Sequence, residues 1–272
     1  MNSMDYQLID SGEGRKLEQF GPYLVDRPAS LALWSKQKDE AAWKKADARL
    51  IREGEGSEWQ WNRLPETFHI THAGLKFLLK ATDFGHLGLF PEHGKLWGKV
   101  EASLSKGTSL LNLFAYSGGL TLAAAKAGAE VCHLDASKGM VAWARENAAL
   151  NRLENAPIRW IIDDVTKFLR REVVRGKKYD AIVLDPPTFG RGTKGELFKI
   201  EEGLIQLLHL CRELLSDRPL FVILSCHTPG FTPTILSHLL TREVGCKEVE
   251  TDELLLPGPF PLPSGCYAKG TF

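Results

Sequence analysis

The 272-residue chain contains no run of the roughly 18 to 20 consecutive apolar residues that a membrane-spanning helix requires, so a bilayer span is not expected. Its opening stretch, MNSMDYQLIDSGEGRKLEQF, is too polar for the apolar segment of a signal peptide, and a cytoplasmic location is expected. It also lacks a C-x-x-C pair. Cys132, Cys211, Cys226, Cys246 and Cys266 stand singly in strand-like or helical stretches, which argues against a zinc site or a disulfide framework and leaves free thiols. His69, His72, His86 and His93 fall near one another without the spacing of a metal site, and no metal is expected. Excess charge is missing too: 34 Lys plus Arg balance 34 Asp plus Glu, so net charge advertises no polyanionic partner and excludes only a strongly basic or acidic protein. There is no internal repeat, no low-complexity tract, and no G-x-G-x-x-G, the phosphate cradle of nicotinamide enzymes.

What is present falls into two textures. From about Thr108, short apolar runs alternate with helical patterns: TSLLNLF, GLTLAAAKAG, AEVCHLD, KGMVAWARENAALN, IRWIID, VTKFLRREVV, YDAIVLD, the stretch ELFKIEEGLIQLLHLCRELL, and PLFVILSC. Strands alternating with helices of this length imply βαβ units and a parallel sheet with helices on both faces. A helix near Thr234–Glu243 follows, then a strand over Lys247–Leu255, the turn PGPFPLP, and a last strand in CYAKGTF. Two strands joined by a turn, with no crossover helix, run antiparallel. The expected fold is therefore α/β: a doubly wound, mostly parallel seven-stranded sheet with an antiparallel C-terminal hairpin over residues 86–272. Residues 1–85 form a small β-rich domain by the same reading, with runs such as YQLIDSG, GPYLVDRP and FHITHAGLKFLLK. The charged stretch SKQKDEAAWKKADARLIREGEG inside it reads as a helix with a solvated face and is given no functional role.

Within the second region, the segment from Leu110 reads as a buried strand (Leu110–Phe114), a tight turn (Ala115–Gly119) and a helix whose first amides face whatever lies above the strand ends. Phe114, Ala115, Tyr116, Ser117 and Gly118 would then line a close approach to a ligand, with Tyr116 either covering it or packing inward. A Gly-Gly turn alone is weak evidence. Asp135 strengthens it, because a carboxylate closing the next strand can accept both hydroxyls of a ribose. Its other reading is a helix N-cap, a role Ser137 fits better. Ala136 and Ser137 continue the same rim. At the third strand, Asp163 and Asp164 precede Val165; Asp164 is assigned to the exocyclic amine of an adenine and Asp163 to helix capping or solvent, the other reading being a helix N-cap by either one. With a ribose acceptor and no phosphate cradle, the cofactor expected is an adenosyl one.

Asp185-Pro186-Pro187-Thr188-Phe189 follows the apolar strand YDAIVL. Two prolines fix an extended path and leave carbonyls without competing amides, and Phe189 can stack on a flat base that Asp185 and Pro186–Pro187 hold.

NLFAYSGG with Asp135, the DDV segment, DPPTFG and SCH after the fifth strand together resemble the class I S-adenosylmethionine-dependent methyltransferases, in particular the bacterial 23S ribosomal RNA methyltransferases that modify cytosine C5 or guanine. The similarity runs from about Thr71 to Cys226. HLGLFPEH resembles the segment that helps close the cofactor site in that family, which brings in Phe90; the family's arginine-containing version of it is here Pro-Glu-His. The resemblance implies S-adenosyl-L-methionine as cofactor and RNA as partner. It also places Cys226 at the nucleophile position of the cytosine-C5 members, where a thiolate adds to C6 and Asp185 holds or protonates the base. A Cys closing a buried strand is otherwise a packing residue. The alternative is direct attack by a guanine nitrogen, oriented by Asp185 and the proline carbonyls, with no Cys needed. A catalytically silent adenosyl- or RNA-binding protein and a nicotinamide oxidoreductase are the readings from other classes; the first would more often have lost Asp135 or Asp185, and the second needs the missing glycine loop.

Overall fold

The computed structural model describes residues 5–53, 56–191 and 197–272, and it divides into two compact units: Met1–Lys95 with Leu255–Ser264, and Leu96–Leu254 with Gly265–Phe272. The expected boundary at residue 85 falls inside the first unit, which also takes back the Pro-rich segment near residue 260.

In the first unit, β1 (Tyr6–Gly12), β2 (Arg15–Phe20), β3 (Tyr23–Pro28), β4 (Ala48–Glu53) and β5 (Gly56–Trp61) form a sheet in that order. All neighbours are antiparallel except β3 and β4. β6 (Phe68–His72) and β7 (Leu75–Leu79) make a separate hairpin. Its turn residues Ala73 and Gly74 both have positive φ (46° and 77°), the twist a two-residue hairpin turn requires. The helix expected over the charged stretch is reduced to α1 (Glu40–Trp43), capped by Asp39, and Ala48–Glu53 of the same stretch is strand β4. Two local facts override the helical pattern. Trp43 is buried and donates its indole N–H to Asp10 (3.1 Å), and Ala48 and Leu50 alternate into the core as a strand demands.

The second unit opens with α2 (Gly94–Ser103), whose first residues belong to the preceding unit. It continues through β8 (Ser109–Leu113), α3 (Gly119–Lys126), β9 (Glu130–Asp135), α4 (Lys138–Leu150), β10 (Ile158–Ile162), α5 (Val165–Val174) and β11 (Ala181–Leu184). A short ribbon of β12 (Phe189–Arg191) and β13 (Leu197–Lys199) precedes α6 (Ile200–Leu214), β14 (Phe221–Cys226), α7 (Pro233–Leu239), β15 (Glu248–Leu256) and β16 (Leu262–Thr271). The sheet order is β10-β9-β8-β11-β14-β16-β15. The first five strands are mutually parallel and β16 runs antiparallel to β14. This is a mixed α/β fold with a mostly parallel seven-stranded sheet, as the alternation of runs implies. The long helix starts later than its pattern suggests, because Leu197–Lys199 pairs with Phe189–Arg191 instead of entering α6.

Apolar strands make the core: Leu111, Leu113, Leu134, Ile182, Leu184, Val222 and Leu224 meet Phe168 and Leu169 of α5 and Leu204, Leu207 and Leu208 of α6. Each fully buried Leu or Phe of this kind contributes roughly 1.5–3 kcal/mol of transfer free energy. Caps set the helix starts: Ser137 accepts from the Met140 N–H, Asp164 from Lys167 and Thr232 from Ile235. The cap on α5 thus falls to Asp164 and not to Asp163 as expected. Chain order reverses between β8 and β11, and in open α/β sheets ligands bind beyond the carboxyl ends of strands at such a point.

Candidate active site

Five parallel strands end on one edge, and the residues that follow them carry the polar groups. After β8 the chain turns sharply: Phe114 and Tyr116 both take positive φ (56° and 51°), an unusual conformation for non-glycine residues. The turn aims the Tyr116 N–H at Asp135, which accepts it at Oδ2 (3.0 Å) and accepts the Ser137 N–H at Oδ1 (2.8 Å). The Asp135 carboxylate is thereby fixed in orientation by two backbone donors, while burial raises its pKa above the ordinary carboxylate value. The loop is tied from behind by Asn147, whose side-chain amide donates to the Ser117 carbonyl (2.9 Å). Beneath it runs a fully buried polar chain in which Asn112 donates to the Thr121 hydroxyl (3.0 Å), itself 2.9 Å from His133 Nδ1. Desolvation, with Arg145 adding to it, holds His133 down at about 3, so it is neutral at physiological pH.

The Gly-Gly pair has a packing cause. Gly118 has φ of 94°, and a Cβ on Gly119 would lie 2.5 Å from the Trp97 ring. Gly119 therefore makes room for Trp97 beneath the start of α3, not for a ligand.

At the end of β10, Asp163 accepts the Asp164 N–H at Oδ1 (2.8 Å) and pairs with Arg171. Asp164 spends Oδ1 on its cap (2.9 Å from Lys167 N), and no bond to Oδ2 occurs among the described residues. Val165 is buried as the first residue of α5.

At the end of β11, Asp185 accepts the Ser225 hydroxyl at Oδ1 (2.8 Å). The same oxygen is 3.7 Å from His227 Nε2, too far for a direct hydrogen bond between them. The His227 ring occupies space that only glycine leaves: a Cβ on Gly265 would sit 2.9 Å from His227 Nδ1 and 2.6 Å from the Cys226 carbonyl. Thr188 and Thr228 are joined hydroxyl to hydroxyl at 2.8 Å, tying the Pro186–Pro187 loop to the segment after β14. Phe189 is 63% exposed, an open aromatic face at the start of the β12–β13 ribbon. Phe198 packs its ring 5.5 Å from that of Phe114. Cys226 is only 1% exposed and belongs to the apolar core. Burial pushes its thiol up, although Thr228 offers both its N–H and its hydroxyl to the sulfur, which works the other way.

The structure thus brings Tyr116, Asp135 and Ser137 together by direct bonds, and Asp185 together with Ser225 and His227. Phe90 lies in the first unit, capping the single turn Pro91–His93 with its ring 5.4 Å from that of His86. Ser225, Thr228, Gly265, Asn147 and Trp97 were missed by sequence reading. Ser225 opens the SCH motif and Thr228 follows it, so both carried a local signal, whereas Asn147, Gly265 and Trp97 reach the site only through folding.

Residues 40–261 match the model of the S-adenosylmethionine-dependent methyltransferase family. The chain belongs to that family.

A SAM-dependent methyltransferase from Agrobacterium tumefaciens superposes with a TM-score of 0.91 at 38% identity, over 98% of this chain and 90% of the other. SMU.776, solved in complex with SAH, gives a TM-score of 0.80 at 18% identity over 100% of this chain and 76% of the other, a likeness of fold. Among curated relatives, the ribosomal RNA large subunit methyltransferase K/L of Syntrophotalea carbinolica is 33% identical over 170 residues, covering 62% of this chain and 23% of that protein. Its counterpart in Shewanella sp. strain MR-4 is 36% identical over 149 residues, covering 54% and 21%. The chain spans less than a quarter of the length of these curated relatives. As a family member, this methyltransferase takes S-adenosylmethionine, and its residues fit that molecule. Asp135 keeps lone pairs on both oxygens, as an acceptor of two hydroxyls must, and Asp164 Oδ2 makes no bond among the described residues. The amides at the start of α3 face no phosphate-binding glycine loop. No helix among the described residues is long and apolar enough to cross a membrane.

Proposed function

We propose that this methyltransferase methylates a base of RNA, ribosomal RNA first among candidates, and that it works in the cytoplasm. The observation that carries this reading is the Asp185–Phe189 loop: a fixed carboxylate and two prolines at the sheet's switch point, followed by an aromatic ring that is largely open to solvent. That arrangement suits an unstacked base, held at its edge and stacked on its face. The names of the K/L relatives point to the same substrate class.

When bound, S-adenosylmethionine supplies an electrophilic methyl group on a sulfonium. Asp135 fixes the ribose end and Asp164 the adenine end. Asp185, itself oriented by Ser225, receives the edge of the base, so that the acceptor atom is held in line with the methyl; positioning of this kind supplies most of the acceleration in a transfer that needs no further chemistry. His227 stands beside Asp185 as the group able to take up a proton that the acceptor loses.

The burial of Cys226 favours direct attack by a base nitrogen, such as one of guanine, because a thiol pushed up in an apolar core is protonated at neutral pH. A second reading, cytosine C5 methylation through a Cys226 thiolate, is favoured by the two Thr228 donors that the sulfur meets. Ribosomal RNA from cells lacking the protein, incubated with labelled S-adenosylmethionine and analysed as nucleosides, decides between them. Direct transfer predicts a methylated purine and full activity in Cys226→Ala. A 5-methylcytosine product, with activity abolished in that variant, establishes the thiol route, and no incorporation into RNA overturns the proposal as a whole.

A further inference from the structure

The first unit carries an aromatic surface that neither the cofactor nor the Asp185 loop uses. On β5, the edge strand of its sheet, Trp59 and Trp61 stack with centroids 5.6 Å apart and planes 27° from parallel. Trp61 is 53% exposed. The segment Thr82–Gly85 is pinned on this face: the Thr82 carbonyl accepts the Trp59 indole N–H (2.9 Å), the Asp83 carbonyl accepts the Ser57 hydroxyl, and Gly85 presses on Leu50, which no residue with a Cβ could do. Phe84, between these anchors, is 79% exposed. One exposed ring needs no explanation, but Phe84 on a segment tethered to Trp59, together with the open Trp61, groups exposed aromatic rings as an interaction surface does.

The surroundings decide the partner's chemistry. Arg52 lies opposite Ser57 and, two residues from Leu50, shares the Trp face, whereas Glu58 and Gln60 alternate to the other side of the strand. Arg52 is the exposed cation of this face, whereas Arg27 and Lys16 beneath it are already paired with Glu18. Flat aromatic faces beside positive charge fit unpaired nucleobases joined by phosphates. A duplex offers no free base faces, and an apolar protein partner has no use for the cations.

We infer that Trp59, Trp61 and Phe84, with Arg52, form a platform for single-stranded RNA, a capture surface separate from the methyl-transfer site. This rests on RNA being the substrate. The platform holds unpaired nucleotides by stacking and reads no sequence, while the Asp185 loop selects the target base.

The test is fluorescence anisotropy of the full chain with a labelled mixed-sequence 12-nucleotide single-stranded RNA and with the same sequence as a duplex. Replacing one stacking ring costs about tenfold or more in affinity, so Trp61→Ala and Phe84→Ala are each expected to weaken single-strand binding by that factor, with Trp61→Phe restoring most of it. Arg52→Gln is expected to lower the salt dependence by about one phosphate contact. Both aromatic positions are largely solvent-exposed, and unchanged S-adenosylmethionine binding by the variants confirms that they fold. Wild-type affinity in Trp61→Ala and Phe84→Ala overturns the inference, as does equal affinity for the duplex or no binding by the parent chain. Methyl incorporation is read separately: RNA bound through Trp61 but never methylated counts against the proposed function alone, and methylated RNA with unchanged affinity in the variants counts against the platform alone.

Discussion

In the first unit charge is buried inside the sheet, whereas in the second the strands are apolar through most of their length and polar groups gather where the strands stop. Glu18 has no exposure at all and accepts from Arg27 Nε (2.7 Å), Arg27 Nη2 (2.8 Å) and the Tyr6 hydroxyl (2.9 Å). Burial alone would raise its carboxyl, but Arg27 and Lys16 hold it below the ordinary range. Asp26, equally enclosed, is shared by Arg15 and Arg49. Every one of these buried groups is spent on a structural partner. In the second unit Asp135 and Asp164 each use part of their hydrogen-bonding capacity to be oriented and keep part, and Asp185 is oriented by the Ser225 hydroxyl at the end of its strand. A perturbed or buried charge therefore marks a site only when some of its capacity remains unspent.

The contrast breaks most sharply at Glu18. Glu18→Ala strands Arg27 in a buried position, and removing one partner of such a pair costs roughly 3–5 kcal/mol, so urea unfolding of the variant should show a loss of that size. At Asp135 the expectation differs. Asp135→Ala removes a charge that burial disfavours but leaves the Tyr116 and Ser137 N–H groups without their acceptor, so a stability loss of about 1–3 kcal/mol, below that of Glu18→Ala, is expected. Affinity for S-adenosylmethionine should fall by about tenfold to a hundredfold, the value of hydrogen bonds to a charged group, as titration calorimetry would measure.

A smaller effect separates the units by pH. His133 and His86 stay neutral when folded down to about 3 and about 4, whereas an unfolded imidazole titrates near 6.5. Between those values the unfolded chain binds more protons, so stability is fully present above about 6.5 and is lost as pH falls through the window. His133→Gln should flatten the part of this slope that belongs to the second unit. A slope unchanged by that substitution would assign the whole of it elsewhere.

The same contrast explains what could be read from sequence. Parallel strands covered on both faces are unbroken apolar runs, so LLNLF, VCHLD and AIVL announced themselves, and the acids closing them located the site. Strands β2 and β3 carry Glu18, Asp26 and Arg27 inward, which hides the period of two, and Ala48–Glu53 read as part of a charged helix because its Arg and Glu side chains continue the charge pattern of the run before it. Asp163 and Asp164 were equivalent by type; only the geometry at the start of α5 gave the cap to Asp164. Cys226 had a motif pointing to chemistry, but its burial depends on packing against α6 and β16, which no local pattern carries.

The central claim is that Asp185 acts on the methyl acceptor while Asp135 acts on the donor. Single-turnover transfer of labelled methyl to ribosomal RNA from cells lacking the protein, with S-adenosylmethionine affinity measured on the same samples, tests it most directly. The account predicts that Asp185→Ala binds S-adenosylmethionine as the parent chain does and transfers methyl about a hundredfold more slowly or worse, the scale of losing a positioned group at the reacting centre. Transfer by Asp185→Ala at the parent rate would contradict it.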